Sequence, residues 1–445
     1  MLKQIIIKKG HDLKIKGCPD SNNVLPIAAR KVSISPKSFR GVKPKLLVNE
    51  GDIVSAGSAL FFDKLKPDVR WGAPASGKVS AIEFGPRRVI NKIEIHLDDV
   101  KPEPYKFITD LKLSSASNKE VLDCFLKANI FPLIRQRPFN KVADPGVAPR
   151  DIFISAYNSS PLSVDLSKLI EQNQELFQIG LNAISKLTTG DVYLVSAKNT
   201  IDFENVKNYK ISGPHPAGNV GIQIHHIKPI KPGEIIWTVN AQHVITIGRL
   251  FKTGIYDSKC IVSIGGSGAT NPRLIEVKSG ANIQSILKNQ SSNKAVRIIS
   301  GDVYTGTSVN LNDYLGYYDT TISIINDEVK RPFLGMLAPG STATKYSLTN
   351  TFFSFDPKEF NFTTSQNGEL RAMVPLNAWE KVLPMDIFPN PLYRAILAED
   401  FEEMEKLGIW ECDDEDFALC SFACPSKIDV GGVIRKGLDL LEAES

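Results

Sequence analysis

The sequence predicts a multidomain α/β chain, and three observations carry that expectation. Glycine-ended strand pairs crowd residues 41–82, a strand–helix–strand unit occupies residues 151–195, and a helix with matched start and stop signals lies near residue 400. At 445 residues the chain exceeds what one core of roughly 250–300 residues holds. Its 42% hydrophobic content suffices for several cores. Boundaries are expected at 1–100, 101–257, 258–345 and 346–445.

The first domain rests on Gly41 to Ile82, GVKPKLLVNEGDIVSAGSALFFDKLKPDVRWGAPASGKVSAI. Leu46-Leu47-Val48 runs into Glu50-Gly51-Asp52, and Trp71 runs into Pro74-Ala75-Ser76-Gly77 before Lys78-Val79-Ser80. Two such half-motifs, each alternating and ended by a turn glycine, make a barrel-sandwich hybrid of the biotinyl/lipoyl type. A carrier of that type displays a lysine between the halves, flanked by small residues or methionine. Here the segment is Asp63-Lys64-Leu65-Lys66-Pro67-Asp68, without methionine and with a proline, which favours an unmodified sandwich.

A polar linker between Lys101 and Lys119 leads into the second domain, where Val121 to Ala128 reads as helix and Phe131 to Phe139 as a proline-bounded loop. Asp151 to Ala156 and Asp191 to Val195 read as buried strands around a helix at Leu176–Leu187, hence a parallel sheet. Residues 233–251 space Ile235, Ile236, Val239, Val244, Ile247 and Leu250 like one covering helix. Glycine-punctuated short strands from Lys259 to about Ile325 form a β-rich module. The last hundred residues read as helical: Asn390 as N-cap, Pro391 opening, Leu392, Ile396, Leu397, Phe401 and Met404 inward, and Gly408 as stop.

A net charge of +4, without a basic stripe interleaved with aromatics, argues against nucleic-acid binding. Met1 to Lys9 holds an apolar run too short for a signal peptide, so no export is expected. Ile235 to Phe251 is interrupted by Asn240, Gln242, His243 and Arg249 and falls short of a membrane span of roughly 20 apolar residues. Six cysteines, at 18, 124, 260, 412, 420 and 424, are too sparse for a disulfide framework.

Gly265-Gly266-Ser267-Gly268-Ala269-Thr270 lacks the lysine of a Walker loop and leads into strand-like Arg273 to Val277, so it reads as a β-turn. Tyr157-Asn158-Ser159-Ser160-Pro161 stands where a dinucleotide turn needs glycines. His225 and His226, read on a strand with side chains on opposite faces, and His215 are expected to be structural rather than metal ligands. Cys420-x3-Cys424-Pro425 matches the end of a ferredoxin run, but Asp414 and Phe417 occupy the other two ligand positions, so a degenerate cluster site packed as ordinary helix is expected.

Together the segments KPKLLVNEGDIVSAGSALFFDK, RPFNKVADPGVAPRDIFISAYNSSPL, SGPHPAGNVGIQIHHI, IIWTVNAQHVITIGRLFKTG, NDYLGYYDTTISII, VPLNAWEKVLPMDIFPNPLYRAIL and DFALCSFACPSK make the chain resemble the A-subunit family of sodium-translocating NADH:quinone oxidoreductases. That family is similar to the flavoprotein component of respiratory complex I and to the C component of the Rnf complex. The resemblance implies a Rossmann-like second domain, a β-grasp SLBB-like third module and a C-terminal helical domain. It also implies a peripheral component on the cytoplasmic side of the bacterial inner membrane, whose partners are the other subunits, B to F, and above all the membrane-embedded B-subunit. Ubiquinone would be the substrate; FMN, FAD, riboflavin and iron–sulfur centres would sit on other subunits, and no cofactor or catalytic residue on this chain. Where relatives carry a flavin loop, this chain has Phe131, Arg135, Arg137 and Phe139, the expected quinone-contact residues. The alternatives are an Rnf-type electron carrier, a biotin- or lipoyl-dependent carrier modified at Lys64 or Lys66, and a non-redox scaffold or ligand-binding protein.

Overall fold

The computed structural model describes residues 3–97, 103–108, 112–197, 201–288, 290, 295–328, 333, 334, 337, 346–348 and 359–444. A seven-stranded sheet organises its centre in the order Lys3–Ile6, Lys207–Ser212, Val192–Ser196, Asp151–Ala156, Ile236–Asn240, Arg135–Arg137, Lys141–Val142. The first five run parallel, Arg135–Arg137 runs antiparallel to them, and Lys141–Val142 runs antiparallel to Arg135–Arg137. Strand alternation sends side chains to two separate cores. Ile152, Ile154, Leu194, Trp237 and Val239 face the helices Gln174–Ser185 and Ala241–Thr253. Phe153, Tyr193, Val195 and Ile236 face the helix Val220–Ile227 and the C-terminal helices. Each large apolar side chain buried this way stabilises by about 1.5–3 kcal/mol.

Residues 233–251 are therefore not one helix. Ile236–Asn240 is a strand paired with Asp151–Ser155, and Asn240 then caps the helix Ala241–Thr253, its Oδ1 accepting the Gln242 amide at 2.9 Å. Burial on both faces removes the polar alternation that marks a strand, so the apolar spacing imitates a helix. The opposite error affects Val220–Ile227, where alternating, β-branched Ile222, Ile224 and their neighbours read as strand but form a helix. His225 and His226 thus lie on that helix, where they fasten it to the C-terminal region. His225 Nδ1 bonds Glu411 at 2.7 Å, its Nε2 accepts the Asp386 amide at 3.0 Å, and His226 Nε2 bonds the Pro384 carbonyl at 2.8 Å.

The sandwich sets a four-stranded sheet (Lys31–Ile34, Ile90–His96, Gly77–Phe84, Ile53–Val54) beside a three-stranded one (Pro44–Leu46, Ala59–Asp63, Lys66–Gly72). Phe61 and Trp71 stack in its core at 4.8 Å. The turn between Asp63 and Lys66 is closed by Asp63, which accepts the amides of Lys43 and Leu65 at 3.0 and 3.1 Å. Lys64 is exposed at its tip, whereas Lys66 is paired with Asp144 of the α/β domain at 2.8 Å.

The β-rich module is a six-stranded sheet ordered Thr307–Val309, Val296–Ser300, Thr321–Asn326, Lys259–Gly265, Arg273–Lys278, Asp20–Pro26. Gly265 to Thr270 opens the turn between two antiparallel strands of this sheet. The expected helix from Asn390 to Gly408 is two, Pro389–Ala398 and Phe401–Lys406, and Asn390 lies inside the first turn rather than capping it. Glu399 is left-handed, with φ of 55°, and Asp400 caps the second helix by accepting the Glu403 amide at 3.1 Å. Leu397, on the first of these helices, is exposed rather than inward. Helices Asp414–Ala423 and Val430–Glu444 complete the C-terminal region. Among the described residues no helix is long and apolar enough to cross a membrane.

Candidate functional site

From the central strand Asp151–Ala156 the chain moves outward to Val192–Ser196 and Lys207–Ser212, then returns on the other side as Ile236–Asn240. The two adjacent strands that part company there open a crevice at their carboxyl ends, the usual ligand position in an open α/β sheet. A cleft of about 640 Å³ lies at this place. Ser155, Tyr157, Thr238 and Asn240 form its floor, Ser33 to Arg40 and Lys92 of the sandwich one wall, Ser300 to Thr321 of the β-rich module another, and Asp414 with Glu415 a rim.

On the β-rich wall the Arg135 guanidinium carbon stands 4.9 Å from the centre of the Tyr318 ring, a cation–π contact. Tyr318 is fixed from behind, donating its hydroxyl to the Pro132 carbonyl at 2.7 Å, and crosses Tyr317 edge-on at 4.9 Å. Among the described residues no carboxylate pairs with Arg135. His243 donates to the Leu133 carbonyl; burial, then the Arg135 cation, lower its imidazole to about 4. His215 stacks flat on Tyr304 at 4.4 Å and bonds Ser159 through Nδ1 at 3.1 Å. Burial lowers it to about 4 against the pull of Asp302 and Asp12. Both rings are neutral at pH 7.

The acidic rim belongs to a buried charge cluster that joins three parts of the chain. Asp413, fully buried, meets Arg40 of the sandwich at 3.3 Å, Arg137 of the α/β domain at 3.2 Å and Arg435 of the last helix at 3.4 Å. Asn140 also donates to it. Burial pushes the Asp413 carboxyl up, but the arginines prevail and hold it at about 2. Arg137 further pairs with Glu415 and, at 3.6 Å, with Asp416. Asp414, held by Arg40 at 2.8 Å, is raised to about 6 by burial and by Asp413.

The four residues expected from sequence therefore separate. Arg135 lines the cleft. Phe131 is fully buried against Trp237, Phe139 packs on Trp410, and Arg137 is the hub of the charge cluster. The expected loop is in fact a short 3-10 turn, Phe131–Leu133, followed by the strand Arg135–Arg137, which pairs with Ile236–Thr238 on one side and Lys141–Val142 on the other. Cys420 lies on the helix Asp414–Ala423, with Cys424 just past its end, and both are buried in the apolar core. Among the described residues no group of three or more His, Cys, Asp or Glu side chains could hold a metal ion. Sequence reasoning missed Tyr317, Tyr318, Asp319 and His243. For the first three the signal was the run Asp313-Tyr314-Leu315-Gly316-Tyr317-Tyr318-Asp319, dense in aromatics and acids beside a glycine.

A sandwich, a parallel-sheet α/β domain, a β-rich module and a helical region closing on one polar-aromatic cleft define a multidomain α/β protein with a cleft at a domain junction. Residues 5–98 match the NqrA N-terminal barrel-sandwich hybrid domain, 116–256 the NqrA second alpha/beta domain, and 261–310 the NQRA C-terminal domain. The chain is similar to the A-subunit of the Na(+)-translocating NADH-quinone reductase of Pasteurella multocida, 37% identical over 99% of this chain and 100% of that one. It is also similar to the A-subunits of the Haemophilus influenzae and Saccharophagus degradans reductases, at 37% and 36% with the same coverage. The chain belongs to the NqrA family, the A-subunits of the Na(+)-translocating NADH-quinone reductases. A crystal structure of NAD+-reducing [NiFe]-hydrogenase covers 68% of this chain and 55% of its own at 11% identity, with a TM-score of 0.35, too low to bear on fold or function.

Proposed function

We propose that this chain is the peripheral component of a respiratory sodium-pumping NADH:ubiquinone reductase and that its cleft receives the quinone head group. It works with the other subunits, B to F, at the cytoplasmic face of the membrane, docks chiefly on the membrane-embedded B-subunit, and performs no catalysis alone. The flavins and iron–sulfur centres belong to the other subunits. The observation that carries the reading is Arg135, without a carboxylate partner among the described residues, laid over Tyr318 at the carboxyl ends of the parallel strands. A quinone has a flat, apolar ring and accepts hydrogen bonds best at its carbonyls; tyrosine faces suit the ring and a guanidinium suits a carbonyl. Phe131 against Trp237, Arg137 in the charge cluster and Phe139 on Trp410 anchor the segment that carries Arg135. In the assembled complex a photoreactive ubiquinone is expected to label peptides containing Arg135 or Tyr314 to Asp319. Labelling confined to other subunits defeats the reading.

A further inference from the structure

Asp319 follows Tyr318 in the cleft wall and has no part in the contacts just assigned to the quinone. One of its oxygens is engaged: the Ser300 hydroxyl donates to Oδ2 at 2.6 Å, and Ser300 accepts the Gly316 amide at 2.9 Å. Gly316 packs so closely that a β-carbon there would stand 2.2 Å from Oδ2, so the carboxyl is held in one place. Among the described residues no donor binds Oδ1 and no cation is paired with the group. Burial raises this carboxyl above the usual range; Asp302 adds to the rise, while Ser300 and Arg135 oppose it.

We propose that Arg135 and Asp319 form a two-donor clamp on one flat dicarbonyl ring, Arg135 giving an N–H to one carbonyl oxygen and Asp319 its carboxyl O–H to another. The clamp rests on the quinone reading of the cleft. A carbonyl oxygen can only accept, so an ionised carboxylate facing it repels, whereas the neutral acid donates. Above the titration of the free carboxyl, binding of the ring therefore takes up one proton.

The other groups facing the cleft leave this signal readable. His215 and His243 titrate at about 4, and Tyr314, Tyr317 and Tyr318 are raised by burial. Arg40 and Lys92 stay charged. Of the carboxyls Asp302, Asp313, Asp414 and Glu415, Asp414 is raised to about 6 and titrates nearby, at the rim with Arg40.

The test is binding of a ubiquinone with one isoprenoid unit to the full-length chain between about pH 5 and pH 8. The dissociation constant is expected to rise tenfold per pH unit above the titration of the free carboxyl, the slope of a single linked proton. At a pH above that titration the wild-type chain in weak buffer should take up one proton per quinone bound. Asp319→Asn, which keeps a donor, should bind within about threefold of the wild type at low pH, with no slope. Asp319→Ala should bind at least about tenfold more weakly at low pH. A slope that survives in Asp319→Asn belongs to Asp414 and overturns the clamp. Intact binding with a flat wild-type profile and no proton uptake overturns it too, while leaving the quinone reading in place. Absence of binding at every pH removes both.

Discussion

Replacing Asp413 with asparagine keeps the size and shape of a fully buried side chain and deletes the charge on which three arginines converge. Those contacts are 3.2, 3.3 and 3.4 Å long. At an effective dielectric of about 20, each is worth about 5 kcal/mol before desolvation. Burial of the carboxylate and repulsion from Asp414, Glu415 and Asp416 cancel much of this. Loss of one partner from a buried pair costs about 3–5 kcal/mol. The lower end applies here, because Arg137 keeps Glu415 and Asp416 and Arg40 keeps Asp414. About 3 kcal/mol corresponds to roughly a 150-fold change in a local opening equilibrium. Hydrogen exchange read by mass spectrometry should therefore show peptides from Asp414–Ala423 and Val430–Glu444 exchanging about a hundredfold faster in Asp413→Asn, with the sandwich strands unchanged. A change below about threefold in those helices would refute the view that this carboxylate docks the C-terminal region.

Two further outcomes follow from the same seam. The Asp414 carboxyl, raised to about 6 in the folded chain against 3.8 unbound, binds more protons folded than unfolded between those values, so its contribution to stability falls as pH rises through that window and is flat beyond it. Urea unfolding of Asp414→Asn should gain on the wild type between about pH 4 and pH 6.5; parallel profiles would contradict the assignment. Gly221 is the second case: a β-carbon there would meet Asp416 Oδ2 at 2.0 Å, and Asp416 is only 1% exposed and cannot swing away. Gly221→Ala should lower urea stability by about 1–3 kcal/mol through overpacking, exceeding the roughly 1 kcal/mol that alanine gains over glycine in a helix. Equal or greater stability would show that the helix Val220–Ile227 and the acidic turn can separate freely.

Legibility in the sequence followed how local each cause is. The strand alternation and turn glycines of Gly41 to Ile82, the parallel strand pair and the glycine-rich β-turn are dictated by neighbours in the chain, and they were readable. Ile236–Asn240 and Val220–Ile227 were misread because their pattern depends on which faces another element covers. A strand buried on both sides shows no alternation, and a β-branched helix forms when packing outweighs propensity. The break at Glu399–Asp400 was written in the capping pair Asp400 and Glu403, which a continuous apolar spacing masked.

The candidate site divides along the same line. The sequence by itself determined the kind of protein, because the order of its segments carries the family, and it singled out Arg135 together with Phe131, Arg137 and Phe139. Only the tertiary structure decided what each of them touches. Arg135 and Arg137 are two residues apart on one strand, yet the first lines the cleft beneath Tyr318, 183 residues away in the numbering, and the second is buried among Asp413, Glu415 and Asp416. Such partners meet only when separate domains dock. No local pattern can encode a contact whose energy arises from burying charges drawn from distant parts of the chain.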